Sequence, residues 1–247
     1  MIRWADEGMI LSARTHGENA VILDVLTEGH GRHSGVVRGG ASRRMRPILQ
    51  PGAQVSVEWQ ARLEEHMGAF RVEAKRSRAA EILGDRSALE AIGAIAGLLA
   101  MALPEREAML GLYHRTIGLA DRFGGGEAWW TAYARWELAL LSDIGFALDL
   151  SCCAVTGAEE GLVFVSPKSG RAVSREGAGE WADRLLPLPA FLREDNGQTA
   201  PAAEVVKALR LTGFFLQNQV VEVSNAKDMP AARMRLMDLI GRRAREG

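Results

Sequence analysis

Cysteine is nearly absent from this 247-residue chain: there are two, and they are adjacent. Adjacent thiols cannot build a disulfide framework, so the chain reads as one from a reducing compartment. Long apolar runs are missing too. The most apolar stretch, "AIGAIAGLLAMAL" at residues 91–103, is too short to span a bilayer and reads as a buried helix. The opening "MIRWADEG" lacks the apolar segment of a secretory leader. The expected location is cytoplasmic. No nucleophile-elbow pattern occurs, and the triple glycine at 124–126 lacks the Lys-Ser/Thr of a phosphate loop, so it reads as a hinge or cap. The five histidines are scattered. His30 and His33, in "HGRH", are too few for a closed zinc site and read as flanking a solvated turn. No catalytic residue, cofactor or bound metal is expected, although a site assembled from distant residues stays open.

What is present is an ordinary globular composition, 47% apolar and 25% charged, with a net charge of −1. The charge is uneven. Residues 1–80 carry 12 Lys and Arg against 9 Asp and Glu, and the remainder 18 against 22. A basic front on a neutral chain suits an anionic partner.

The period of the apolar residues changes near residue 78. Before it the pattern alternates: in "QVSVEWQA", Val55, Val57 and Trp59 face one way and Ser56, Glu58 and Gln60 the other. "GMILSAR", "AVILDVLT", "GVVRGG" and "AFRVEAK" predict further strands, with glycines and Pro51 between them. Five short strands suggest a small closed barrel. A sandwich fragment or an SH3-like barrel has the same periodicity. After residue 78 the spacing is helical. Helices are predicted over 85–103 with Asp85 as N-cap, over 104–123 with Pro104 in the first turn, and over 127–146 ended by Gly145. Two more are expected near 202–223 and 230–245. The fold class is α+β: a barrel in residues 1–80, then a helical domain in 81–247 interrupted at about 151–177.

The positive signal is "VVRGGASRRMRP". Arg38, Arg43, Arg44 and Arg46 lie in and beside a glycine-rich connection between two predicted strands. Arginine's planar fork binds phosphate oxygens in pairs, and glycine lets backbone approach a ligand. A solvated loop has the same composition, and composition does not separate the two. Lys75, Arg76 and Arg78 form a second basic cluster at the barrel exit, or a charged linker. Trp4, Trp59 and Phe70 are expected in the core rather than as base-stacking platforms, so phosphate contact should outweigh stacking.

Three stretches carry a family resemblance: "DEGMILSARTHGENAVILDVLTEGHGRHSGVVRGGASRR", "RWELALLSDIGFALDLSCCAVTG" and "FVSPKSGRAVS". Over essentially its whole length the chain resembles the RecO family of bacterial recombination mediators. The resemblance implies an N-terminal OB-fold, a helical C-terminal domain, no enzyme active site and association with the nucleoid. It implies binding to single- and double-stranded DNA and annealing of complementary strands. With RecR, such proteins help RecA displace single-stranded DNA-binding protein; RecF is a further candidate partner, and no membrane is involved. The helical domain would receive the acidic, aromatic-ended C-terminal tail of single-stranded DNA-binding protein. Arg135, on the "R-x-E-L" pattern, is the candidate cation beside that tail, or else a member of a helical ion pair.

Many members carry two C-x-x-C pairs binding zinc. On this chain those positions fall on Cys153 and Thr156, and on Ser174 and Gly177. One of four ligands remains, and hydroxyls are poor zinc donors. Cys152 is a poor substitute, because adjacent cysteines rarely point the same way. The stretch reads as a zinc knuckle without its metal, held by Leu162, Phe164 and Val173 and by side-chain hydrogen bonds. Three function hypotheses stand: a non-catalytic annealing mediator, a protein-binding adaptor, and an OB-fold RNA-binding factor.

Overall fold

The computed structural model describes residues 1–194, 197–221 and 228–246. Five strands, β1 (Ile2–His16), β2 (Ala20–Thr27), β3 (Gly31–Arg38), β4 (Gln54–Ala61) and β5 (Ala69–Arg76), close into a barrel of order β1-β2-β3-β5-β4. This is the five-stranded OB-fold arrangement. The alternation predicted for β4 holds: Val55, Val57, Trp59 and Ala61 are buried and their neighbours are not. β1 is long because it pairs with β4 through its first half and with β2 through its second, with a bulge between Ile10 and Ser12. β3 and β5 share a single parallel pair, Val36 with Ala69.

His33 departs from the expected solvated turn. It is 5% exposed, edge-on to Trp4 and Trp59, with ring centroids 4.9 and 5.2 Å away. His30 stacks on Trp4 at 4.1 Å and bonds Asp6 Oδ2 through Nδ1 at 2.7 Å. Strand alternation turns position 33 inward, and the turn chemistry of "HGRH" hides that. Trp59 and Phe70 are core residues as expected, and Trp4 is half-buried against them. Burial, then the charges of Arg106 and His30, push the His33 imidazole down to about 4. A depressed histidine contributes stability that is full above about 6.5 and is lost as pH falls toward 4. Between pH 7 and pH 4.5 this amounts to roughly 2–3 kcal/mol. Burial raises the Asp24 carboxyl and acts in the opposite direction. Urea unfolding at pH 7 and pH 4.5 should therefore show a loss that His33→Gln removes; an equal loss in both proteins would assign it elsewhere.

α1 (Ala79–Ile82) leads to α2 (Arg86–Ala102), whose N-cap is Asp85 as predicted, its side chain accepting from the Ser87 and Ala88 N–H groups. α3 begins later than expected, at Leu110, and runs to Ala120. Residues before it lie beside β3 instead: Glu105 bridges to Arg32, and the Arg106 N–H donates to the Arg32 carbonyl at 2.8 Å. Arg32 also donates to the Ala100 and Leu103 carbonyls at 2.7 Å each, satisfying the end of α2. These long-range bonds outweigh the helical pattern of 104–109. The first compact unit comprises Met1–Gly124 and Pro230–Arg233, the second Gly125–Met229 and Met234–Gly247.

In the second unit α4 (Trp129–Asp143) ends where predicted. Gly145 takes φ +90°, its N–H donates to Ser142, and the Phe146 N–H donates to Leu141. That is the Schellman pattern. A small sheet follows, of order β7-β6-β8, from β6 (Leu162–Val165), β7 (Ala172–Ser174) and β8 (Leu186–Pro187). α5 (Arg175–Ala178) and two 3₁₀ turns, Gly179–Arg184 and Ala190–Leu192, surround it. α6 (Ala202–Leu216) continues into a π turn, Gln217–Val221, and α7 is Ala231–Glu246. Positions 222 and 223 of the predicted helix lie outside the described residues.

Candidate nucleic-acid interface

The connection after β3 is wound rather than open. The Met45 and Arg46 N–H groups donate to the Ser42 carbonyl at 3.1 Å, and those of Ile48 and Leu49 to the Met45 carbonyl at 2.9 Å. This places Met45, Ile48 and Leu49 on one side, at positions i, i+3 and i+4. Leu49 belongs to the barrel core, and Met45 and Ile48 pack against it. The segment is a plug with an apolar inner side. Arg43, Arg44 and Arg46 are exposed on it, and Arg38 is exposed at the end of β3. None of these four guanidinium groups has a hydrogen-bond or ion-pair partner among the described residues.

The second basic cluster is different. Lys75 pairs with Glu7; Arg76 pairs with Asp121 at 2.7 Å and Glu81 at 3.3 Å. Arg78 is 2% exposed and donates to Asp121, the Gly52 carbonyl at 3.2 Å and the Gln54 side chain at 3.1 Å. Arg76 and Arg78 join the barrel to α1 and the end of α3, whereas the Lys75 pair ties β5 to β1 within the barrel. Arg62 was not singled out in sequence, because "RLEEH" sets two glutamates beside it. It is exposed and lines, with Arg38, an open cavity of about 370 Å³ whose walls include Val36, Gln60 and Ala69.

Arg135 projects from α4 onto the 3₁₀ segment of its own unit. Its Nε donates to the Phe191 carbonyl at 3.1 Å, and Nη2 to the Glu194 carbonyl at 2.9 Å. The guanidinium lies 5.8 Å from the Phe191 ring centre. Two residues on, Glu137 is fully buried and accepts from the Thr212 hydroxyl at 2.5 Å, tying α4 to α6.

The two turns at Cys153 and Ser174 face each other. Cys153 Sγ accepts from the N–H groups of Val155 and Thr156 at 3.4 Å, and from Ser174 N and Oγ at 3.2 and 3.3 Å. The Gly177 N–H donates to Ser174 Oγ at 3.0 Å. A Cβ on Gly177 would lie 2.8 Å from Cys153 Sγ and 3.1 Å from Ser174 Oγ. Positions 153, 174 and 177 therefore converge, with Thr156 bonded to the same sulfur. Burial raises the Cys153 thiol, but bonds from Ser174 and Thr156 outweigh it and bring it down to about 6. Cys152 lies apart, 3.8 Å from Arg171. One sulfur, two hydroxyls and a glycine do not fit zinc. The packing is as expected for Leu162 and Val173, which are buried, while Phe164 is half-buried. No cluster of three or more His, Cys, Asp or Glu suited to a metal occurs among the described residues, and no helix there is long and apolar enough to cross a membrane.

Comparison with known proteins gives one consistent result. The profile described as Recombination protein O N terminal matches residues 1–78, and Recombination protein O C terminal matches residues 83–227. Among curated proteins, the DNA repair protein RecO of Roseobacter denitrificans is 53% identical over 242 residues, covering 98% of this chain and 100% of that protein. The protein of the same name from Ruegeria sp. is 50% identical over 240 residues, covering 97% and 99%. That of Jannaschia sp. is 46% identical over 244 residues, covering 99% and 98%.

Proposed function

Because the chain belongs to the RecO family, which serves DNA repair, we propose that it acts as a non-catalytic mediator that binds DNA and anneals complementary strands. The observation that carries this reading is the set of four unpartnered guanidiniums, Arg38, Arg43, Arg44 and Arg46, presented around the plug of an OB-fold barrel. Annealing requires no reactive site. Cations that hold two strands screen their repulsion, and base pairing supplies the driving force. Lys75 and Arg76 would contribute only by leaving their carboxylates. Single- and double-stranded DNA, RecR, RecA and the acidic tail of single-stranded DNA-binding protein are the proposed partners, and RecF is a further candidate. Arg135 would reach such a tail by exchanging the Phe191 and Glu194 carbonyls for carboxylates.

The test is strand annealing without any nucleotide, across a salt series. Annealing should proceed at low salt and fall steeply as salt rises. Annealing that needs a nucleotide, or DNA binding indifferent to salt, would sink the proposal. Stronger binding to RNA of the same sequence would favour the RNA-binding alternative.

A further inference from the structure

A second group of unpartnered arginines lies in the helical unit. Arg210 of α6 and Arg242 and Arg245 of α7 line one groove of about 190 Å³ between those helices. All three are exposed, and none has a hydrogen-bond or ion-pair partner among the described residues. Their neighbour Arg243, by contrast, is paired with Glu127 at 2.8 Å. Among the described residues Asp238 is the one acidic side chain in the lining, against three arginines. The groove's apolar walls among the described residues are Val206 and Met237, both half-buried.

Gly241 also lines the groove, in the interior of α7. A glycine there costs about 1 kcal/mol relative to alanine. No packed neighbour requires it: a Cβ at 241 would meet only Arg245 Nη1, at 3.8 Å. Its effect is to leave the floor of the groove open beside three cations.

We infer that the α6/α7 groove is a second phosphate-backbone site for DNA, separate from the barrel arginines. The inference rests on the annealing reading, since annealing requires that two strands be held. The charge fits a polyanion, and three planar forks fit phosphate oxygens. An acidic peptide with an apolar end would need a larger apolar pocket than Val206 and Met237 offer.

The experiment uses the full chain with Arg210→Ala, Arg242→Ala and Arg245→Ala combined, beside the single variant Gly241→Glu, which puts a carboxylate on the groove floor with every arginine in place. Single-strand affinity across salt, strands bound per protein, and annealing rate are measured. Both variants should still bind one strand, bind a second strand weakly, and anneal slowly. The triple variant should lose about 2 units of log–log salt slope from the second binding step. Unchanged stoichiometry, slope and annealing in both folded variants would overturn the inference. So would DNA behaviour that is unchanged while an Asp-rich, Phe-ended peptide loses its binding, because the groove would then be a protein-docking site. If replacing the barrel arginines changes DNA binding and replacing these does not, only this inference falls. If neither does, the annealing reading falls with it.

Discussion

Replacing Arg43, Arg44 and Arg46 together with alanine is expected to leave the barrel folded, weaken single-strand binding, and flatten the dependence of log affinity on log salt by up to about 2 units. The barrel stays folded because the plug is held by Met45, Ile48 and Leu49 and by backbone bonds to Ser42 and Met45, none of which involves a guanidinium. The slope falls because each phosphate contact on a single strand releases about 0.7 of a counterion. The loss should be similar for different base sequences, since phosphate contacts carry no sequence information. Annealing should fall in parallel. A folded triple variant with unchanged affinity and slope would show the arginines to be solvated. Restoring only Arg44 should recover about a third of the slope if the three contribute equally.

The second large effect concerns the turns at Cys153 and Ser174. The natural protein is expected to hold no stoichiometric zinc after dialysis. Thr156→Cys, Ser174→Cys and Gly177→Cys combined should bind about one zinc per chain. The backbone is already arranged for it: N–H groups of residues 155, 156 and 174 point at the Cys153 sulfur, as they would toward a metal-bound thiolate. The same hydrogen bonds hold the Cys153 thiol down at about 6, in the direction of the thiolate that ligates metal. The close approach of a side chain at 177 to Cys153 is relieved when both sulfurs turn to a shared ion at about 2.3 Å. Bound zinc should raise Tm, and a chelator should reverse the rise. A folded triple variant without zinc, or a natural protein that carries zinc and loses it on Cys153→Ser, would contradict this reading.

Features set by neighbours in sequence were legible, and features set by distant partners were not. Alternation in 54–61 placed Trp59 in the core, and Asp85 and Gly145 marked helix ends through local hydrogen bonds. The start of α3 was misjudged because Arg32, more than seventy residues earlier, holds the preceding segment. Lys75 and Arg76 carried the same signal as Arg43 and Arg44, yet their carboxylates, Glu7 and Asp121, are 68 and 45 residues away. The apolar side of the plug was written in the spacing of Met45, Ile48 and Leu49, but the glycines before it suggested an open loop. Only three dimensions separate a paired cation from a free one, and that separation divides the candidate site from its surroundings.

The bonds of Arg32 and Arg78 also bear on how the chain can be divided. Arg32 closes the end of α2 and meets Glu105, and the buried Arg78 is neutralised by Asp121. A fragment cut at residue 80 would keep all five strands yet strand the Arg78 guanidinium without its carboxylate and uncover the apolar face on which α2 lies. The compact unit that holds these bonds runs to Gly124 and also takes in Pro230–Arg233, so an N-terminal piece ended at residue 80 is expected to be less stable than the same barrel in the whole chain. A family boundary drawn at residue 78 and the boundary of a compact structural unit are, in this protein, different places.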